Sequence, residues 1–369
     1  MTAQLAQQDS MHMARALQLA ERGLYTTDPN PRVGCVLARD GRVVGEGWHY
    51  RAGEPHAEVL ALRAAAESAR GATTYVTLEP CSHTGRTPPC ADALITAGVA
   101  QVHCATSDPN PKVAGEGIRR LQEAGIGVSV GLLAAAARAL NPGFFSRFER
   151  ARPYVRLKLA MSLDARTARA DGVKAWISGE ESRADVQVWR ARSSAVLTGA
   201  GTVRIDDPRL DVRLDYGSWV RQPLRVLLDP SLSCAPTARI FQGEGALVFA
   251  SPDAPASALR VERLACRDGG LDIGAVLRRL TAFEVNEVLV ECGPRLAAAF
   301  LRAGLVDELL LYVAPIFLGS DALPLADLRG AEAHTPQEGG LDAITRGFEF
   351  VDVRRIGADL RLILKPKEA

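Results

Sequence analysis

Apolar residues recur at helical spacing near the start of the chain. Met13, Ala16, Leu17, Ala20 and Leu24 share one face, with Asp9 placed to cap the helix and Gly23 to stop it. Asn30-Pro31-Arg32 reads as a turn. The apolar run Val33 to Ala38, the dipeptide Asp40-Gly41 and the run Val43 to Glu46 predict a buried strand, a tight hairpin turn and the partner strand. A helix is expected from His56 to about Ala69, a strand from Thr73 to Leu78, and a second helix opened by Pro88-Pro89-Cys90, since proline suits a first turn. Strand Gln101 to Ala105, helix Gly115 to Ala124, strand Gly127 to Val130 and helix Leu132 to Leu140 follow. Strands alternating with helices imply an α/β fold with a mostly parallel sheet and helices on both faces.

Asn141-Pro142-Gly143 is turn chemistry. It sets a domain boundary between about 146 and 153, dividing the chain into 1–146 and 147–369. Phe144 and Phe145 are too apolar for a free linker and are expected to pack between the domains. Beyond it, Tyr154 to Ala160 alternates polar and apolar as a strand, and Glu180 to Arg192 is a helix. Ala195 to Thr198 is a short buried strand, and Gly199-Ala200-Gly201-Thr202 a small-residue turn. Strands Leu224 to Leu228 and Ala246 to Ala250 precede a helix from Leu271 to Ala282. Strand Val288 to Glu291, the turn Cys292-Gly293-Pro294 and helix Arg295 to Ala303 form a unit whose helix N-terminus can hold a phosphate. Leu309 to Ile316 and Phe348 to Leu364 read as β, antiparallel. There is no G-x-G-x-x-G after a first strand, so Gly199, Gly201 and Gly293 alone read as ordinary βα turns.

A chain of 369 residues can bury a core in each of two domains. A formal net charge of +1 excludes a global field toward nucleic acid or acidic membranes, so an anionic substrate must be held by local arginines. The odd, scattered set of seven cysteines reads as reduced and cytoplasmic. The first twenty residues lack the apolar core of a signal peptide, and no apolar run reaches the ~20 residues that cross a bilayer.

The chemistry concentrates at His56-Ala57-Glu58 and Pro80-Cys81 through Cys90. One imidazole and two thiols make a soft donor set for zinc, and three protein ligands leave the fourth position to water, the layout of a catalytic site. Glu58 is the proton carrier beside that water. Residues two apart on an ideal helix point ~200° apart, so His56 and Glu58 can share an ion only over the helix end. A thiolate at Cys90 gains from the dipole of the helix it opens. The competing reading is a structural zinc closed by His83. The order H-x-E then P-C…C is the known signature of zinc-dependent deaminases. His103, Cys104 and Cys35 read as core or edge residues, and His49 beside Trp48 could be a packed aromatic pair.

The spacing makes a more specific likeness. Eight residues, Ser82 to Pro89, separate the cysteines. With Asn30-Pro31-Arg32-Val33-Gly34-Cys35 and His56-Ala57-Glu58, positions 9–145 resemble the deaminase domain of the bifunctional riboflavin-biosynthesis deaminase–reductases. The resemblance implies a cytidine-deaminase-like three-layer domain acting on diaminohydroxyphosphoribosylaminopyrimidine. It implies zinc on His56, Cys81 and Cys90, with Glu58 moving protons between water, ring nitrogen and departing ammonia. Asn30, His49 and Arg86 are implied as substrate contacts; many relatives carry Lys where this chain has Arg86.

Lys158 to Asp164, Trp176-Ile177-Ser178, Leu197 to Thr202, Asp206-Asp207-Pro208 and Glu291-Cys292-Gly293-Pro294 resemble the same family's reductase domain over about 152–365. That domain is similar to dihydrofolate reductase and uses NADPH. By this likeness Ala160, Trp176, Thr202, Asp206 and the turn Gly293, Pro294, Arg295, Leu296, Ala297, Ala298 and Ala299 line the cofactor site. Lys174, Arg190, Leu210, Arg213 and Glu291 line the ribose-phosphate site. The implied reaction is hydride transfer to C1′ of the ring-opened ribose, with Arg190 and Arg213 as a phosphate clamp and Asp164 or Glu291 as polarising groups. Ala165 stands where relatives often have Gly, and Lys174 where a small polar residue is common. The resemblance also implies a homo-oligomer, dimer or tetramer. One alternative is a nucleoside or RNA-base deaminase with an unrelated binding domain, but that predicts a basic, aromatic-rich patch, and aromatics are 5%. Another is a non-enzymatic zinc module, which predicts a fold that collapses with chelator.

Overall fold

The computed structural model describes residues 3–83, 88–111, 113–171, 176–214, 220–267, 269–328 and 347–367. The chain divides into two compact units, Met1–Ala151 and Arg152–Ala369.

The first unit is a five-stranded sheet in the order β2-β1-β3-β4-β5. It comprises α1 (Ala3–Glu21), β1 (Gly34–Arg39), β2 (Arg42–Trp48), α2 (Ala57–Ala65), β3 (Thr73–Val76), α3 (Cys90–Ala97), β4 (Gln101–Cys104), α4 (Glu116–Glu123), β5 (Gly127–Val130), α5 (Ala134–Leu140) and α6 (Pro142–Glu149). The hairpin at Asp40-Gly41 forms as expected, with positive φ at both residues. The sheet is only half parallel: β1 pairs antiparallel with β2 and β3, while β3–β4 and β4–β5 are parallel. Two glycines on β2 bring α2 onto the sheet. A Cβ on Gly45 would lie 2.3 Å from the Ala61 carbonyl oxygen, and one on Gly47 would lie 2.3 Å from that of Ala57. Only bare backbone lets α2 sit this close.

Three expectations change here. Asp9 does not cap α1, which starts at Ala3; its carboxylate accepts a hydrogen bond from the Tyr75 hydroxyl at 2.6 Å. The helix expected to reach Ala69 ends at Ala65, and one 3₁₀ turn finishes the segment. The expected turn at Asn141-Pro142-Gly143 is the start of α6, with Pro142 in its first turn. Asn141 is buried and clamps the Arg32 backbone, accepting from its N–H at 2.8 Å and donating to its carbonyl at 2.9 Å. Phe144 and Phe145, expected between the domains, pack inside the first unit against Leu78, with Val33 and Phe148 alongside.

The second unit is a nine-stranded sheet. Its strands are β6 (Tyr154–Met161), β8 (Ala195–Gly199), β9 (Leu224–Leu228), β10 (Ala246–Ala250), β11 (Val261–Arg263), β14 (Glu287–Glu291), β15 (Glu308–Val313), β17 (Phe348–Ile356) and β18 (Asp359–Pro366), in the order β11-β10-β9-β8-β14-β6-β15-β18-β17. The short strands β7 (Arg166–Ala168) and β16 (Leu323–Pro324) pair with each other, as do β12 (Cys266–Arg267) and β13 (Gly270–Leu271). The helices are α7 (Glu180–Ala191), α8 (Ala200–Asp206), α9 (Ile273–Thr281) and α10 (Pro294–Arg302). Every pairing from β11 to β15 is parallel, and β18 and β17 close the sheet antiparallel.

Alternate residues of β14 fill two core clusters, Val288 and Val290 in one and Leu289 in the other, so helices cover both faces. The small-residue turn expected at Gly199 to Thr202 is the first turn of α8. β15 is antiparallel to β18 only; on its other side it is parallel to β6. The alternation in β6 is not core against solvent. Arg156 is 1% exposed, because α7 covers that face and the guanidinium lies 4.8 Å from the Trp189 ring centre. Among the described residues no helix is long and apolar enough to cross a membrane.

Candidate functional site

His56, Cys81 and Cys90 come from three different element ends. His56 is the extended residue before α2, with φ −74° and ψ 166°, so it is not helical. Glu58 lies one residue into that helix, and the two side chains can therefore converge over its end. Cys81 follows β3, and Cys90 is the first residue of α3. Their donor atoms all lie within 4.8 Å of one another, with His56 Nδ1 3.2 Å from Cys90 Sγ and 3.6 Å from Cys81 Sγ. Among the described residues no fourth ligand joins the group; His83 is exposed and stands outside it. One imidazole and two sulfurs at this spacing suit a tetrahedral zinc with one position left for water.

The expected dipole effect at Cys90 is shared. The Cys90 backbone N–H points at Cys81 Sγ, 3.3 Å away. The hydrogen bond from Cys90 pulls the Cys81 thiol down to about 4 against its burial, with help from His56, while Cys90 is pushed up as holder of the shared proton. A divalent cation would replace that proton.

Glu58 is 3% exposed, and burial pushes its carboxyl up to about 7, opposed by the positive field of His56. His49 is buried too, its ring edge-on to His56 with centroids 5.0 Å apart. His49 Nδ1 faces the Pro55 carbonyl at 3.3 Å, and a carbonyl only accepts, so Nδ1 carries the proton. Nε2 then accepts from the Asn30 amide at 3.0 Å. Burial and His56 hold His49 down to about 4, so it is neutral at pH 7. This is not a packed Trp–His pair: the Trp48 ring is covered by Arg22, 4.7 Å away. Arg86 lies outside the described residues. Cys35 and Cys104 are core, and His103 stacks on Tyr75 away from the metal group.

In the second unit, the β8–α8 and β14–α10 turns lie side by side at the C-terminal ends of adjacent parallel strands, where α/β sheets bind ligands. A Cβ on Gly199 would lie 3.3 Å from Leu296, and one on Gly293 would lie 3.9 Å from the Thr202 hydroxyl. Thr202, Gly293, Pro294 and Leu296 are thus together. Arg295 and Ala299 follow on α10, but Ala297 and Ala298 on the same helix are fully buried. Asp206 ends α8, and Ala160 sits on β6 beside Tyr312. Trp176 is 70% exposed, its ring covered by Arg183 at 5.0 Å. Lys174 lies outside the described residues.

Arg190 grips Glu291 through two bonds of 2.6 and 2.9 Å, and its remaining arm donates to the Asp211 carbonyl. Arg213 is half exposed and paired with Asp211 at 2.6 Å, with Leu210 buried nearby in sequence. Lys158, to which the sequence reading gave no role, stands opposite Glu291 in register on β6; burial lowers its pKa, against the pull of Glu291. Asp164 is held down to about 2 by the Ser162 hydroxyl and accepts from the Leu318 and Gly319 N–H groups, so it anchors the loop after β15. Two further carboxyls near the metal group, the buried Glu79 and the half-buried Asp108, have only the dipeptide neighbourhoods Glu79-Pro80 and Asp108-Pro109 as sequence signals.

Comparison with known proteins accounts for both units. Residues 6–106 match the cytidine and deoxycytidylate deaminase zinc-binding region, and residues 153–362 match the RibD C-terminal domain. The chain is 49% identical to riboflavin biosynthesis protein RibD of Escherichia coli (strain K12), over 97% of this chain and 99% of that one. The solved structure of Acinetobacter baumannii RibD, form 1, matches with TM-score 0.88 and 43% identity over 98% of this chain and 100% of that one. The Thermotoga maritima diaminohydroxyphosphoribosylaminopyrimidine deaminase/5-amino-6-(5-phosphoribosylamino)uracil reductase matches with TM-score 0.81 and 33% identity over 98% and 99%. With a cytidine-deaminase-like first domain and a dihydrofolate-reductase-like second one, the chain belongs to the RibD family, the bifunctional zinc-dependent deaminases and NADPH-dependent reductases of riboflavin biosynthesis.

Proposed function

We propose that the first unit hydrolytically deaminates 2,5-diamino-6-(5-phosphoribosylamino)pyrimidin-4(3H)-one. The second unit then reduces the ribosyl chain with NADPH, giving 5-amino-6-(5-phosphoribitylamino)uracil. The observation that carries this reading is the convergence of His56, Cys81 and Cys90 within 4.8 Å, with the buried Glu58 beside them. Held by these three residues, zinc would supply a Lewis acid and lower the pKa of water. Glu58 takes one proton of the attacking water and gives it to the ring nitrogen, then takes the remaining hydroxyl proton and gives it to the amine, which departs as ammonia; a carboxyl poised near neutrality suits both directions. Neutral His49 orients the Asn30 amide, whose oxygen is left to accept from a pyrimidine N–H. Arg86 is assigned the substrate phosphate.

In the second unit, the α10 N-terminus offers backbone N–H groups to the cofactor phosphates. Thr202 lies beside it, and Asp206, Ala160 and Trp176 are assigned to the same cofactor site. Arg213 and Lys174 are assigned the substrate phosphate. Arg190, whose fork is engaged by Glu291, orients that carboxylate beside Lys158 at the reducing centre. The assembly proposed is a homo-oligomer, dimer or tetramer. The edge strand β17 supports this by exposing Phe350, Val351 and Val353, a surface that invites pairing. The seven free thiols fit a reducing, cytoplasmic compartment.

The test is to incubate the zinc-loaded chain with the diaminopyrimidinone substrate, with and without NADPH, and follow ammonia and nicotinamide absorbance separately. Ammonia without NADPH, then one equivalent of NADPH oxidised, is expected. NADPH oxidised with no prior ammonia would overturn the order, and ammonia with no oxidation would overturn the second assignment.

A further inference from the structure

The chain buries a carboxylate two residues before a metal ligand, and the deamination just described gives it no task. Glu79 is 3% exposed, and among the described residues its hydrogen-bond partners are all backbone N–H groups. Its two oxygens instead accept four backbone N–H groups. Oε2 takes those of Asp108 at 3.1 Å and Gly115 at 3.0 Å; Oε1 takes those of Gly117 at 3.0 Å and Ile118 at 3.4 Å. Gly115 is the residue before α4 and has no side chain with which to cap it. Glu79 caps the helix from 38 residues away. A carboxylate offers acceptor lone pairs at both oxygens, enough for four N–H donors, and such a group suits a helix N-terminus.

A second observation ties this cap to the metal group. A Cβ on Gly117 would lie 1.9 Å from the Pro80 carbonyl oxygen, so the first turn of α4 rests directly on the peptide that leads into Cys81. Cys81 is also held from the other side, its carbonyl accepting from the Ala91 N–H at 3.1 Å and its sulfur from the Cys90 N–H at 3.3 Å. The Glu79 carboxylate and the α4 turn complete that grip from below.

We propose that Glu79 is a positioning residue for the zinc ligand Cys81: by capping α4 it fixes the Pro80-Cys81 backbone and so the direction of the Cys81 sulfur. The inference rests on the reading of His56, Cys81 and Cys90 as the zinc site. Zinc–sulfur bonds are held near 2.3 Å, so slack in the Cys81 backbone is read directly as lost affinity.

The experiment is zinc affinity of the full chain, by competition with a chromophoric chelator, for wild type, Glu79→Gln, Glu79→Asp and Asp92→Asn. Glutamine puts an NH₂ group against two of the four N–H donors. Its zinc affinity should fall about 10- to 100-fold, the usual range for groups that orient a ligand, while its NADPH-dependent reduction of the deaminated substrate stays at the wild-type rate. Glu79→Asp keeps the charge, withdraws it by one methylene, and should lose affinity severalfold; it decides the matter where the glutamine variant does not fold. Asp92→Asn breaks the exposed α3–α4 ion pair with Arg120, 2.8 Å long, without touching the cap, and should bind zinc as wild type does. Wild-type affinity in both Glu79 variants, or an equal loss in Asp92→Asn, would overturn the proposal. A wild-type chain that binds no stoichiometric zinc would instead overturn the zinc reading beneath it.

Discussion

Arg156→Met tests the account of the second unit's core. Arg156 lies on the third residue of β6 and ties together the first residues of β14 and β15. It meets Glu287 at 3.0 Å and forms a shorter contact with Glu308, while Trp189 and Tyr154 flank it at 4.8 and 5.5 Å. Burial opposes its charge, but Glu308 and Glu287 together outweigh that and hold it protonated. Methionine fills much of the volume, so the transfer term is small, but Glu308 loses its buried cation and Glu287 keeps only the longer contact with Arg192 at 3.7 Å. Breaking a buried pair this way costs ~3–5 kcal/mol, equivalent to roughly 6–20 °C in the Tm of a unit this size.

The pH dependence fixes the mechanism. A buried carboxyl that has lost its cation favours its neutral, protonated form. The folded variant then holds more protons than the unfolded chain, and its stability falls as pH rises through that window. Urea unfolding of wild type and variant at pH 5 and pH 8 should therefore show a larger deficit at pH 8. Reductase KM should not move, because Arg156 sits at the N-terminal ends of strands whose C-terminal ends carry the site. A loss below ~1 kcal/mol, or one that is equal at both pH values, would refute the reasoning.

Glu58→Gln should keep stoichiometric zinc and lower the deamination rate ~10²–10⁴-fold while reduction of the deaminated compound continues; loss of both activities would contradict two separate sites. Ala165 sits at φ +56° in the left-handed region, beside the loop anchor Asp164, so Ala165→Gly should stabilise the second unit by up to ~1 kcal/mol, read as an upward Tm shift. Asp108 is pushed up to about 7, first by burial and then by Glu79 and Cys81, against its Asn110 hydrogen bond. Its folded pKa lies above its unfolded one, so its ionisation erodes stability as pH rises toward 7. Asp108→Asn should then stabilise the chain at pH 8 and not at pH 4, by at most ~4 kcal/mol at ~1.4 kcal/mol per pH unit; equal effects at both pH values would remove burial as the cause.

The elements legible in the sequence are those whose cause is local. The β1–β2 hairpin is set by Asp40-Gly41 lying between two apolar runs, and α3 starts where Pro88-Pro89 stops the loop. The metal group is legible for a related reason. A ligand set must place donors at fixed element ends, and His56, Cys81 and Cys90 stand at those ends, so chain spacing carries the geometry. Local signals also mislead where one set of letters has two meanings. Asn-Pro-Gly at 141–143 opens a turn or a helix, and Asn141 decides it by bonding to Arg32, more than a hundred residues back. Gly199 to Thr202 is a turn until the sheet beside it lets α8 begin at Ala200.

The charged residues inside the fold escape the sequence for a deeper reason. Polar–apolar alternation in β6 reads as one face to solvent, and Arg156 and Lys158 occupy that polar face. Covering it takes α7, and neutralising it takes Glu287, Glu291 and Glu308 from strands that arrive more than 120 residues later. Glu79 is the same case in the first unit: its neighbours in sequence announce Cys81, but its function depends on the amides of Gly115, Gly117 and Ile118. A buried charge is tolerable only when its partners are in place, and those partners are a property of the assembled sheet. The ligand atoms of each site can therefore be read from spacing, whereas the groups that hold those atoms still become visible only when distant strands are laid side by side.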